Sequence, residues 1–374
     1  MLSYRLDSKQ TKALKDIHVA AQRHWDLINS FSDEKQQFIR NNSLISNIGA
    51  STRIENAVLT DVEIDWINTE IETSVHTDYK DKEKLIKNKL SKDKERSIEE
   101  VAGYRDAINI VINSYQDLIP LRESDIKGLH RELLKYYPEA KHHAGDYKSQ
   151  INSVTETNDL TGRKKTILKT ADPGVITAAG MADLVKWFNE TVQNETWVMS
   201  VAVELVFRFL AIHPFQDGNG RLSRLLFQLV LMNSEDEYLA GVIPYIALDR
   251  NIEQTRAEYY LVLRKCSGGI FHSDPKKYKY GYLLNYMLNM FAKSMANIVH
   301  YAEKYDRCKA LTETDLKVLG CFKEEPERNL QTKELVESLS IPRRTAIYSL
   351  NKLVKGQFLQ TTGKGPSLKY KLTF

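Results

Sequence analysis

The chain of 374 residues has three cysteines, Cys266, Cys308 and Cys321, and no Cys-x-x-Cys pair among them. An odd number at wide spacing excludes a disulfide framework and indicates no zinc site, so reduced packing thiols in an intracellular protein are expected. Strong net charge is also missing. The 53 Lys and Arg against 49 Asp and Glu leave +4, too little for the whole chain to be drawn to nucleic acid or to a membrane. There is no charge-free apolar run of membrane length, and the first residues, Met1 to Asp7, contain no apolar signal core. No membrane partner and a cytoplasmic location are therefore expected. Internal repeats and low-complexity segments are absent, and strand patterning is scarce. What remains is a globular composition, 42% hydrophobic, long enough for two or three domains.

Most of the chain carries helical periodicity. Leu14, Ile17, Ala20, Ala21 and Trp25 start a helical N-terminal lobe, taken here as residues 1–97. Between His76 and Glu100, 15 of 25 residues are Lys, Arg, Asp or Glu with signs interspersed, which predicts a solvated helix or mobile loop. A core, residues 98–305, has helical patterns at Val101 to Tyr115, Glu123 to Tyr136, Ala178 to Glu190, Val198 to Ile212 and Ser223 to Met232. Alternation at Ile151, Ser153 and Val154, with Gly145 and Gly162 at the flanks, predicts a short β-hairpin. In residues 306–374, helices are expected at Thr312 to Phe322, Thr332 to Leu339 and Pro342 to Lys355. Two strands should follow around Gly363, Gly365 and Pro366. That order resembles a winged helix-turn-helix. Residues 341–374 hold seven Lys or Arg and no acid, the footprint expected for a phosphate backbone. DNA through residues 312–374 is one candidate partner, and protein docking or homodimerisation through the same kind of fold is the other.

The chemistry concentrates in His213-Pro214-Phe215-Gln216-Asp217-Gly218-Asn219-Gly220-Arg221-Leu222-Ser223-Arg224. Two glycines around Asn219 let the backbone approach an anion, and the apolar run from Leu222 predicts a helix whose N-terminus favours negative charge. Asp217 suits a hard cation, Arg221 and Arg224 suit phosphate oxygens, and His213 suits a general base. The string resembles the signature of the Fic family, His-x-Phe-x-Asp/Glu-Gly-Asn-Gly-Arg-x-x-Arg, with every fixed position present.

The resemblance implies a mainly α fold: a Fic-type helical core with a β-hairpin flap, an N-terminal helical lobe and the C-terminal winged module. It implies ATP as substrate, Mg²⁺ as cofactor, and transfer of AMP to a Tyr, Ser or Thr hydroxyl of a protein target or of the chain itself. His213 would take the hydroxyl proton, Asp217 would hold Mg²⁺, and Gly218, Asn219, Gly220, Arg221, Leu222 and Ser223 would line the phosphates. Arg224 would reach the γ-phosphate, while Phe215 would point into the core. Ser51-Thr52-Arg53-Ile54-Glu55-Asn56 matches the family's inhibitory motif, in which the glutamate pairs with the second motif arginine and takes the γ-phosphate's place. Glu55 is thus both inhibitory and part of the nucleotide site. The flap implies contacts from Asn152, Ser153, Val154 and Thr155, with Lys148 standing where the family usually has Arg. Arg256-Ala257-Glu258-Tyr259-Tyr260 resembles the helix that walls the adenine, and Ser267 replaces a family Asn beyond it. Three rival readings stay open: an enzyme removing AMP with Glu55 orienting water, a DNA-binding regulator with the Fic core as nucleotide sensor, and a toxin-like enzyme held silent by Glu55.

Overall fold

The computed structural model describes residues 1–72, 78–140, 142–157 and 163–373; His76 of the charged run and Gly162 of the hairpin lie outside these. Helices α1 (Ser8–Asn29), α2 (Asp33–Ile54), α3 (Asp61–Glu72), α4 (Tyr79–Lys89), α5 (Glu95–Ser114) and α6 (Glu123–Leu133) come first. The hairpin β1 (Ser153–Thr157) and β2 (Lys164–Lys169) precedes α7 (Val175–Val192), α8 (Val198–Ile212) and α9 (Asn219–Met232). Then come α10 (Glu237–Val242), α11 (Leu248–Gln254), α12 (Arg256–Ser267) and α13 (Gly281–Lys309). The chain ends with α14 (Glu313–Lys323), α15 (Thr332–Leu339), α16 (Arg343–Lys355) and a second hairpin, β3 (Leu359–Thr362) and β4 (Lys369–Leu372). The mainly α fold with two short hairpins is the one expected.

Two compact units emerge, one of residues 1–57 and 99–298, the other of residues 58–98 and 299–374. In the first, α8 and α9 form the central hairpin. Both helices are apolar on nearly every side, and all of α8 beyond its first residue is buried. Around them the N-terminal helices are fixed by local chemistry. Asp7 caps α1 in a capping box with Gln10, and Ser32 caps α2. Helix α2 has little amphipathic character. It packs instead by satisfying carbonyls: Ser43 Oγ donates to Tyr245 O at 2.7 Å, and Asn47 Nδ2 donates to Ile246 O at 2.9 Å.

The second unit contains the C-terminal module. Its three helices pack on Val318, Phe322, Leu335, Leu350, Leu353 and Phe358, and Leu330 bridges Tyr370 so that β4 gains a neighbour beyond β3. That is the element order of a winged helix-turn-helix. Residues 58–98, which the sequence groups with the N-terminal lobe, cluster here instead. The charged run is partly an ordered helix: Tyr79 and Ile86 of α4 are buried, and Lys94 Nζ donates at 2.7 Å to both Glu63 and Glu327. Interspersed charge had masked two apolar anchors one helical face apart.

Candidate active site

Helix α8 ends at His213, whose backbone is left-handed (φ 53°) and whose N–H donates to Phe209 O at 2.8 Å. This reversal throws the chain into the loop that starts α9. Gly218 caps that helix, also left-handed at φ 78°, and a Cβ there would fall 2.9 Å from Leu133. The loop closes on itself through Asn219, which accepts from Phe215 N–H at 3.0 Å and donates to Phe215 O at 2.7 Å. Phe215 is fully buried, as expected, and stacks on His130 with ring centroids 3.8 Å apart.

His130 is the residue that the sequence did not single out. Gly145 N–H donates to its Nδ1 at 2.8 Å, so Nε2 carries the proton and donates to Asp217 O at 2.9 Å. One neutral imidazole therefore ties α6, the turn before the flap and the loop together. Burial holds it neutral, lowering its pKa from 6.5 to about 4. A histidine three residues before a helix end gave no pattern signal, and its partner lies 87 residues away.

His213 is likewise held neutral. Burial, then the nearby Lys148 charge, lowers its pKa to about 4. Its Nδ1 lies 3.3 Å from Leu210 O, a carbonyl that only accepts, so Nδ1 bears the proton and Nε2 keeps a lone pair. Lys148 is buried, with its pKa pushed down to about 8, and donates to Ile212 O, Asn152 Oδ1 and Thr170 Oγ1 at 2.9, 2.8 and 3.1 Å. Asn152 passes the connection on, donating to Phe215 O at 2.7 Å. Lys148 and Asn152 thus brace the loop between α8 and α9, and the Asn152 side chain is engaged in that task.

The N-terminal turn of α9 leaves the amides of Asn219, Gly220 and Arg221 without partners within the helix, since the first helical bond runs from Leu222 N to Gly218 O. Two of the residues expected to line the phosphates already have partners here. The Leu222 amide is consumed by that bond and its side chain is fully buried, while Ser223 Oγ donates to Gly220 O at 2.7 Å. Beneath the cradle Arg221 is 1% exposed, with Nη2 3.4 Å from Asp217 Oδ1, and its Nε and Nη1 have no hydrogen-bond partner. Asp217 is 40% exposed at the rim. No group of three or more His, Cys, Asp or Glu among the described residues could hold a metal, so a divalent cation here would take Asp217 together with phosphate oxygens. The open amides suit a phosphate there, while the Arg221 guanidinium already faces two carboxylates, Asp217 and the buried Glu100, whose Oε2 lies 3.9 Å from Nη1.

Glu55 caps the C-terminus of α2, and its Oε1 accepts from Arg224 Nη2 at 3.0 Å. A Cβ on Gly220 would fall 2.1 Å from that same oxygen, so the carboxylate occupies the space above the cradle glycine. Arg224 also donates to Ser51 Oγ and Ser51 O at 2.7 and 2.8 Å. Burial opposes its charge, but Glu55 and Asp249 outweigh that and hold its pKa above the ordinary value. The motif helix is pinned by Arg53, whose Nε and Nη2 donate to Glu253 at 2.6 and 3.0 Å, and by Asn56, which accepts from Arg256 Nη2 at 2.7 Å.

The flap sits beside this site. β1 pairs antiparallel with β2, Ser153 opposite Lys169 and Thr155 opposite Thr166, with a register shift after Val154. Lys169 bridges Ile270, so among the described residues the edge of the pair that carries no strand is that of β1. Tyr259 and Tyr260 are both 5% exposed and pack on each other, Tyr259 also on Tyr286. They lie near Arg224 as buried packing rather than as an open wall.

Comparison with known proteins converges on the same loop. Residues 120–231 match the profile of the Fic/DOC family. Over 89 residues the chain is 35% identical to a protein adenylyltransferase, fic-1, of Caenorhabditis briggsae, covering 24% of this chain and 16% of that protein. Over 170 residues it is 26% identical to the protein adenylyltransferase Fic of Drosophila melanogaster, covering 46% of this chain and 30% of that one. The matched stretches are thus under a third of these relatives' length. A solved Fic family protein from Desulfovibrio desulfuricans G20 superposes with a TM-score of 0.56 at 20% identity, over 100% of this chain and 98% of that one. Fic-1 residues 134–508 of C. elegans superpose with a TM-score of 0.55 at 18% identity, over 80% and 74%. At these identities the structures speak for the fold alone. The profile match, the intact twelve-residue motif and the shared fold together show that this chain carries a Fic domain at residues 120–231.

Proposed function

We propose that this chain is an auto-inhibited protein adenylyltransferase, and the observation that carries the reading is Glu55 seated on Arg224 and over Gly220 at the mouth of the anion cradle. A triphosphate and a carboxylate compete for that guanidinium. With Glu55 displaced, the amides of Asn219, Gly220 and Arg221 would hold the phosphates and Arg224 the γ-phosphate. His213 Nε2 would take the proton as a target Tyr, Ser or Thr hydroxyl attacks the α-phosphorus. The Pα–O bond to the β-phosphate breaks, AMP becomes joined to the target oxygen, and pyrophosphate leaves. Mg²⁺ on Asp217 would offset phosphate charge. The target segment would add as a strand along the free edge of β1, which sets its hydroxyl beside His213.

Three free thiols suit a reducing compartment, and no described helix is long and apolar enough to cross a membrane. The thiols are the ground on which we propose a cytoplasmic location. The test is transfer of label from α-³²P-ATP in Glu55→Gly with and without His213→Ala. Label should rise in the first and vanish in the double variant. Label unchanged by Glu55→Gly would remove the auto-inhibition, and release of AMP from a modified target by the wild type alone would favour the reverse reaction.

A further inference from the structure

Asp249, at the start of α11, is fully buried, and the chemistry proposed above does not use it. Its Oδ2 accepts from Tyr104 OH at 3.2 Å and lies 3.9 Å from Arg224 Nε; its Oδ1 has no hydrogen-bond partner. Together with Tyr259 and Arg224 it lines a small pocket walled by Phe227 and Ile252. An unmet carboxylate oxygen in such surroundings is costly and calls for an explanation.

Arg224 is therefore shared by two carboxylates. Glu55 approaches from the open side at 3.0 Å with side-chain exposure of 32%, and Asp249 stands on the buried side. The two contacts differ in kind. Glu55 accepts a hydrogen bond, whereas Asp249 at 3.9 Å meets Arg224 by charge alone, with burial pushing its carboxyl up against the pull of the guanidinium, whose orientation is fixed by Ser51 through two short bonds. We propose that Asp249 is a positioning residue that works as the standing counter-ion of Arg224, setting how strongly the site reads the third phosphate of its nucleotide. With its charge present, the guanidinium is partly neutralised and can release either Glu55 or a γ-phosphate. With it absent, both anions are held more tightly.

This rests on the reading of Arg224 as the γ-phosphate contact. Binding of ATP and of ADP by calorimetry, in Glu55→Gly and in Glu55→Gly/Asp249→Asn, tests it. ATP should bind about 5- to 10-fold tighter in the second protein, with ADP unchanged, as expected for removal of a close charge from one ion pair. A change shared equally by ATP and ADP, or none, would overturn the counter-ion role. So would weaker ATP binding, which would make Asp249 a strut. Asp249→Ser, a second neutral replacement, gives the same comparison should the Asn variant not fold. The two readings separate cleanly: if ATP binds no tighter than ADP even in Glu55→Gly, the γ-phosphate assignment of Arg224 fails, whereas a preference for ATP that ignores Asp249 sinks this inference alone.

Discussion

His213, the residue most exposed to test, combines a fixed tautomer with a depressed pKa, and both follow from its position on a left-handed turn at the end of an apolar helix. Replacing it with Ala should lower AMP transfer roughly 10²- to 10⁴-fold, the usual worth of a general base, while ATP binding measured by calorimetry stays near that of the parent. His130 acts through others. It holds the carbonyl of Asp217 with Nε2 and the amide of Gly145 with Nδ1. Gln places a donor near Nε2, and Asn places an acceptor near Nδ1, so His130→Gln should retain more kcat than His130→Asn if the tether to Asp217 matters for chemistry. Equal losses of kcat would reduce His130 to a core residue. Both histidines are neutral when folded, with values near 4, but take up a proton near 6.5 when unfolded. The unfolded chain therefore binds more protons between those limits, so stability falls as pH drops through that window. Thermal melts from pH 7 to pH 4 should show the fall, and His130→Gln should make it shallower.

Helix α2 carries Glu55, and its grip comes from its ends rather than from an apolar stripe. Arg53 and Asn56 reach Glu253 and Arg256, on α11 and α12, and these contacts hold Glu55 in place from either side. Arg53→Ala, which leaves the catalytic loop untouched, should raise self-labelling part of the way toward Glu55→Gly; labelling at the parent level would show that the helix end is held without that ion pair. The same comparison explains what the sequence made legible. Helices with strong period, such as α8 and α9, and the motif loop between them were readable because apolar spacing and fixed chemical types lie in one short stretch. The pairing of Glu55 with Arg224 was readable only through the resemblance, since the two are 169 residues apart. His130, Asp249 and the bracing by Lys148 were not readable. Each acts through burial and a distant backbone or side-chain partner, which leaves no periodic trace. The hydrogen bonds of Asn152, Leu222 and Ser223 left no trace for a related reason: motif membership does not say which groups the loop spends on closing itself.

Across the whole chain, the unit that carries the Fic domain is joined to a second unit with its own core. The α16 face shows Arg343, Arg344 and Tyr348 to solvent, with Lys364 and Lys369 exposed on the second hairpin, and no acid follows residue 340. If residues 312–374 dock on a nucleic acid, duplex binding should weaken steeply with salt, and Arg343→Ala/Arg344→Ala should lower affinity and flatten the salt slope by about 2. Absence of binding at low salt would leave protein docking or self-association as the module's task. For the first unit, AMP transfer is read from intact-mass spectrometry of the Glu55→Gly protein after incubation with ATP, Mg²⁺ and a library of hydroxyl-bearing peptides. A gain of one adenylyl group on the protein or a peptide, absent in Glu55→Gly/His213→Ala, is the predicted result; a gain of a single phosphate, or no gain at all while ATP still binds, would contradict it.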